Sequence, residues 1–269
     1  MAVADKTGRI QILSPDGKPI LEWLLPRYDH GTPTGVIFDT TRSSETTLLV
    51  ADTHYSRILR YSLDGKLIQQ FGEYGETPDK MVYPTDIALD PKGAMYITDY
   101  GICDRVMKFT REGVLLKQWG GFGTERGQFQ RPLGIVWAPP GRLIVADTCN
   151  HRIQVFSEEG ELLDVWGGVG DGPGQFKYPY DLCVDGDGMV YVCEYGANRI
   201  QRLDPQGKPA GMYGVAGRGP GEFAAPWGIA IGPGGLLVVA DTDNHRLQLI
   251  DSKSAFERSA RPQSASQGR

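Results

Sequence analysis

The sequence predicts an all-β fold: a six-bladed β-propeller of four-stranded antiparallel blades, with an incomplete seam between the first and last blades. Three observations carry the prediction. First, a short apolar run ending on an acid, then a polar bend, then an arginine, recurs six times. The acids Asp5, Asp52, Asp99, Asp147, Glu194 and Asp241 and the arginines Arg9, Arg57, Arg105, Arg152, Arg199 and Arg246 each repeat every 47 or 48 residues. A fixed period in this range marks a repeat architecture. Second, the 36 glycines and 18 prolines punctuate the chain regularly, which reads as many tight turns rather than disorder. Third, each repeat holds four strand-like runs. One such meander cannot bury both of its faces, but six packed side by side can.

Residues 132–167 show the elements in order. Pro132 precedes a first strand, Leu133 to Trp137, and Ala138-Pro139-Pro140-Gly141 turns the chain. Leu143 to Ala146 is a second strand. The bend from Asp147 to His151 leads into Arg152–Phe156, which alternates polar and apolar as a third strand should. Ser157 to Gly160 turns again, Leu162 to Trp166 is a fourth strand, and a Gly-rich connector follows. Gly17, Gly65, Gly113, Gly160 and Gly207 close the turns between third and fourth strands, where the hairpin exit needs a positive φ. The second repeat carries an insert, Asp39 to Glu45, read as an exposed loop.

Second and third strands occur six times. First strands occur only five times, after Pro33, Pro84, Pro132, Pro179 and Pro226. Fourth strands also number five, ending near Trp23, Phe71, Trp119, Trp166 and Tyr213. The expectation is therefore that blade one lacks an inner strand and blade six an outer one. The propeller is assigned to residues 1–251, and residues 252–269 to a polar, disordered tail.

Three stretches carry a family resemblance: Pro132 to Ile135, Val145 to Ile153 and Gly160 to Gly167, with weaker copies from residue 2 to about 251. This pattern resembles the NHL repeat. The resemblance also implies a propeller, in agreement with the strand count.

The net charge of −5 argues against a nucleic-acid partner, which requires a basic face. The four cysteines, Cys103, Cys149, Cys183 and Cys193, form no C-x-x-C pair and read as buried free thiols in a reducing compartment. No apolar run is long enough to span a bilayer. Met1 leads almost directly into a strand-like run, so the expected location is cytoplasmic. No P-loop or Gly-x-Ser-x-Gly elbow occurs. The run Gly167 to Gly172 opens no helix, so it is not a dinucleotide fingerprint. Asp185-Gly186-Asp187-Gly188 fills a slot that is a turn in the other repeats. His54, His151 and His245 belong to three different blades, and His30 lies in a connector. No cofactor is expected and no metal is assigned.

Because the acid–arginine pair recurs in all six repeats, it reads as a structural staple. Departures from the repeat are more informative. The Gly of Gly35, Gly134 and Gly228 becomes Asp86 and Asp181; Tyr180 and Trp227 stand one residue earlier; Tyr83, Arg131 and Tyr178 precede the proline. Tyr100 and Tyr195 replace Thr in the bend, and Glu194 replaces Asp. These ten residues are predicted to form an aromatic, partly acidic binding face at the channel mouth. The leading expectation is a non-catalytic scaffold, or subunit of a larger complex, that binds a protein or peptide there, since aromatics and Arg are enriched at such hot spots. The alternative is an enzyme with its site on the channel. Six-bladed relatives of this architecture include metal-dependent lactonases and the peptidyl-hydroxyglycine amidating lyase, which imply Asp86, Asp181 and Glu194 as metal-site candidates. A third expectation is RNA binding, as in some NHL domains, through Arg126, Arg131, Lys177 and Arg218. The acids above share that face and oppose it.

Overall fold

A computed structural model describes residues 1–29, 31–42 and 45–259. The chain forms two compact units, Met1–Val165 and a second that begins at Trp166. Six antiparallel propeller blades follow one another in chain order.

The first unit opens with a three-stranded sheet, β1 (Ala2–Ala4), β2 (Arg9–Leu13) and β3 (Pro19–Leu24). Blade two is β4 (Val36–Asp39), β5 (Thr47–Asp52), β6 (Arg57–Ser62) and β7 (Leu67–Phe71). Blade three is β8 (Tyr83–Leu89), β9 (Met95–Tyr100), β10 (Arg105–Phe109) and β11 (Leu115–Gly120). Blade four is β12 (Pro132–Ala138), β13 (Arg142–Asp147), β14 (Arg152–Ser157) and β15 (Leu162–Trp166), ending at the boundary between the units. In the second unit, blade five is β16 (Pro179–Val184), β17 (Val190–Glu194), β18 (Arg199–Leu203) and β19 (Pro209–Tyr213). A short parallel pair, β20 (Val215–Ala216) and β21 (Glu222–Phe223), precedes a three-stranded blade six of β22 (Pro226–Ile231), β23 (Leu236–Asp241) and β24 (Arg246–Asp251). The helix α1 (Ser252–Ser259) follows. Among the described residues, the first and last sheets have three strands each, as the strand count anticipated.

The middle strands are buried on both faces, β5 along its whole length, whereas the outer strand β7 is mostly exposed. Consecutive blades share cores. Leu49, Ala51 and Ile58 of blade two pack with Ile87, Ile97 and Met107 of blade three, and Tyr96 and Val106 of blade three pack with Ile135, Val145 and Phe156 of blade four. An aromatic residue late in each outer strand lies on the turn glycine of the next blade. A Cβ at Gly160 would fall 2.6 Å from the Trp119 ring, and one at Gly207 would fall 2.3 Å from the Trp166 ring. The recurrent Trp and Gly of the repeat are thus one interlock, and any side chain at the glycine would have to displace the indole.

In blade six the corresponding turn is absent, and α1 takes its place. Phe256 is fully buried, with ring centroids 5.6 Å from Tyr191 and 6.1 Å from Tyr213 and the Arg202 guanidinium 5.1 Å from its ring. Residues 252–259 of the expected tail therefore form a helix docked on blade five, because Ala255 and Phe256 offer apolar surface that the polar tail composition hides. Residues 260–269 lie outside the described residues. Cys183 and Cys193 are buried free thiols as expected, but Cys103 and Cys149 are only half-buried. Among the described residues, no helix is long and apolar enough to cross a membrane.

Candidate functional site

The repeated acid is a hub that holds the connector entering its own blade. In blade four, Asp147 accepts the Gln130 N–H at 2.8 Å, Asn150 Nδ2 at 2.9 Å, Arg152 Nε at 2.7 Å and Gln154 Nε2 at 3.0 Å. Arg152 then donates to the carbonyls of Thr124, Glu125 and Gln128, each within 2.9 Å. Glu194 does the same in blade five, accepting from Arg199 at 2.7 Å, Gln201 at 2.8 Å and the Lys177 N–H at 2.9 Å, and it is fully buried. Glu194 therefore sits in the staple and not on an accessible face. Its extra methylene had suggested a functional departure, yet it makes the contacts of an Asp.

The residue just before each arginine is left-handed: φ is +53° at Ser56, His151 and His245, +52° at Asn198 and +36° at Asp104. At Ser56, Asp104 and Asn198 its side chain reaches the next connector. Asp104 accepts the Arg131 N–H at 3.2 Å, and Asn198 accepts the Ala225 N–H at 2.8 Å. The histidine of the Asn-His-Arg motif thus occupies a position set by backbone conformation.

In the first unit, the predicted residues Tyr83, Tyr100 and Arg131 come together. The Tyr83 and Tyr100 rings are 5.1 Å apart, the exposed His54 ring lies 5.8 Å from Tyr83, and the Arg131 guanidinium carbon lies 5.0 Å from the Tyr100 ring centre. Asp86 follows a register break in β8, where a bulge re-aims the side chain. Its carboxylate accepts the Ile135 N–H of β12 at 2.9 Å, joining the first strands of blades three and four.

In the second unit, Tyr180, Tyr195 and Trp227 form an aromatic corner. The two tyrosines stack at 4.5 Å, and the indole meets Tyr180 edge-on at 5.2 Å. Tyr178 is exposed beside the connector. Asp181 follows the equivalent bulge in β16. Its Oδ2 accepts the Ile229 N–H at 2.8 Å and its Oδ1 the Leu182 N–H at 2.7 Å. Asp181 stays partly accessible, although protein atoms crowd around it. Burial there pushes its carboxyl up to about 6, against the pull of the two N–H donors. No side chain fills the facing position, Gly228, where a Cβ would lie 3.6 Å from Oδ2.

The lactonase alternative implied a divalent ion held by Asp86, Asp181 and Glu194. The donor set does not fit one. Glu194 is fully buried, with its oxygens held by Arg199, Gln201 and the Lys177 N–H, and Asp86 and Asp181 each hold a backbone N–H of the next blade. Among the described residues, no three His, Cys, Asp or Glu side chains converge as metal ligands.

No curated protein of known function matches the chain in sequence. Among solved structures, a streptogramin B lyase is similar, at 20% identity over 91% of this chain and 73% of that one, with a TM-score of 0.63. A virginiamycin B lyase from Staphylococcus aureus gives 21% identity, 91% and 74% coverage, and a TM-score of 0.61. A protein of unknown function from Bacteroides caccae gives 15% identity, 94% and 90% coverage, and a TM-score of 0.67. At such identities the likeness establishes the fold alone. The sequence itself matches the NHL repeat at residues 223–248 and the family described as "SMP-30/Gluconolactonase/LRE-like region" at residues 5–224. That second match overturns the expectation of a non-catalytic scaffold. The expectation rested on the aromatic face and on the lack of a recognisable catalytic constellation, and a propeller that takes one or two residues from each blade shows no such constellation in its sequence. The matched span covers most of the 269 residues, and the chain belongs to the SMP-30/gluconolactonase/LRE-like family.

Proposed function

We propose that the protein is a ring-opening enzyme of the lactonase or lyase type, with Asp181 as its proton-transferring group. The family match supports the enzyme class, and the lyases of similar fold are consistent with it. The observation that carries the assignment is the Asp181 carboxyl itself. It is partly accessible, held near 6 by burial, and oriented by two backbone N–H groups. A general base serves best when its pKa lies close to the working pH. Each oxygen keeps a second lone pair beyond the one engaged by the backbone. Tyr180, adjacent to Asp181 in β16, and Trp227, adjacent to Gly228 in β22, supply apolar surface for a ring.

In the hydrolytic form of the reaction, water attacks the ring carbonyl carbon and Asp181 takes its proton. The ring C–O bond then breaks, and the same proton passes to the departing ring oxygen. In the lyase form, Asp181 takes a proton from the carbon next to the one that bears the ring oxygen. A C=C bond forms as that ring C–O bond breaks, the electron pair leaves on the carboxylate, the proton passes from Asp181 to it, and no water is added.

The test is a panel of lactones of differing ring size, with products weighed by mass spectrometry. Hydrolysis adds one water and elimination adds none. Asp181→Asn should lose activity by about 100-fold or more, the range for a general base. In the unaltered protein, activity should fall as the pH drops through about 6. Full activity in Asp181→Asn, or no turnover of any cyclic ester, would overturn the proposal.

A further inference from the structure

We propose a further site, built from residues of the first unit and centred on Arg131, that binds the carboxylate of a planar organic anion. It involves none of the residues of the Asp181 site and does not depend on that reading.

The argument begins with backbone conformation. Arg131, Tyr178 and Ala225 precede the prolines of blades four, five and six, and all three are left-handed, with φ of +56°, +52° and +48°. The architecture sets this conformation. Ala225 shows that it needs no long side chain, so the guanidinium at 131 is not required by the fold.

Its surroundings point to a ligand. The other arginines of the repeat are tied to carboxylates: Arg57 to Asp52 and Arg152 to Asp147 at 2.7 Å, and Arg105 to Asp99 at 3.1 Å. Arg111 is likewise tied to Asp39. Among the described residues, Arg131 has no carboxylate within salt-bridge distance. The nearby Asp104 engages its backbone N–H, with Oδ2, and the Gly101 N–H, with Oδ1. The Arg131 Nε is buried without a hydrogen-bond partner, while the residue as a whole stays partly accessible. Nη1 and Nη2 are not buried and make no hydrogen bond among the described residues, so they are the donors open to a ligand oxygen.

The guanidinium rests on the Tyr100 ring, and the aromatic row runs on through Tyr83 to His54. A planar fork of N–H donors on an aromatic shelf matches a carboxylate in two-pronged geometry, with the ligand's apolar body along the rings. A neutral ligand would leave the guanidinium without a charge-assisted acceptor.

Isothermal titration calorimetry of the full chain would test the site, with benzoate as the probe and benzamide as its neutral counterpart. Benzoate should bind more tightly than benzamide by about tenfold or more, the loss expected when one charge-assisted contact is removed. Arg131→Gln and Tyr100→Leu should each weaken benzoate while leaving the melting temperature near that of the parent. Arg126→Gln removes an exposed arginine of the same connector and should change nothing. Equal affinity for the two probes, no benzoate binding at millimolar concentration, or equal losses in Arg126→Gln and Arg131→Gln would each overturn the proposal.

Discussion

Blades two and four carry the same words, Ala-Asp-Thr followed by an arginine, yet their staples differ. In blade four, Asp147 and Arg152 hold the connector through backbone N–H and carbonyl groups, and Asn150 and Gln154 add two more bonds. In blade two, Arg57 Nε meets Asp52 at 2.7 Å and Nη1 meets Gln70 at 3.2 Å, but Asp52 Oδ1 and Arg57 Nη2 are buried without partners. The positions of Asn150 and Gln154 are Tyr55 and Leu59 there, and the connector lacks the Gly-rich run. The Tyr55 ring instead has the guanidinium carbons of Arg57 and Arg27 at 4.9 and 5.3 Å from its centre. An ion pair is therefore only half of a staple; the connector backbone is the other half.

Substitutions at four positions would break or sharpen that contrast. Asp147→Asn places an amide against the Gln130 N–H and weakens every bond to the hub, so it should lose about 3–5 kcal/mol in denaturant unfolding. Asp181→Asn probes an acid with no cation in its staple-like cradle. Its folded pKa, about 6, is raised above an unfolded value of ~3.9. The carboxylate form thus costs stability as pH rises from about 4 to 6, and the penalty persists above that. The melting temperature of Asp181→Asn should gain on the parent across this window, by the equivalent of up to about 3 kcal/mol. Asp52→Asn turns its new amide toward a side of the hub that holds no donor, so the loss should be smaller, about 1–2 kcal/mol. If it matches Asp147→Asn, the contrast between the blades is wrong. His151→Val forces a β-branched residue to φ +53° and should cost about 1–2 kcal/mol, whereas His151→Asn, which copies Asn198, should be nearly neutral.

The acids, arginines and turn glycines were legible because period alone exposes them, and the strand deficit at each end followed from counting. The glutamines of the hub were within reach: Arg152-Ile153-Gln154, Arg199-Ile200-Gln201 and Arg246-Leu247-Gln248 share a spacing that places Gln on the same strand face as Arg. Glu194 was misread because a longer acid can reach the same donors by shifting its chain slightly. The departures Asp86 and Asp181 stood out in the sequence, but their bond to the next blade was not legible. It depends on a bulge that no residue type announces. Helix α1 was missed because two apolar residues in a polar stretch carry too little periodicity, and only the missing turn of blade six explains why Phe256 is needed.

The hub also has a consequence for how the protein is made. The donors and acceptors of each connector lie up to 28 residues ahead of it in the chain, as with Arg152 and Thr124. A ribosome adds residues at about 5–20 per second, so each connector leaves the exit tunnel seconds before the side chains that will fix it. A blade halted midway would expose a glycine-rich strap with nothing to hold it. Synthesis should therefore yield protease-resistant fragments in whole-blade steps, and a nascent chain ending between Gly167 and Glu194 should be cut within that strap.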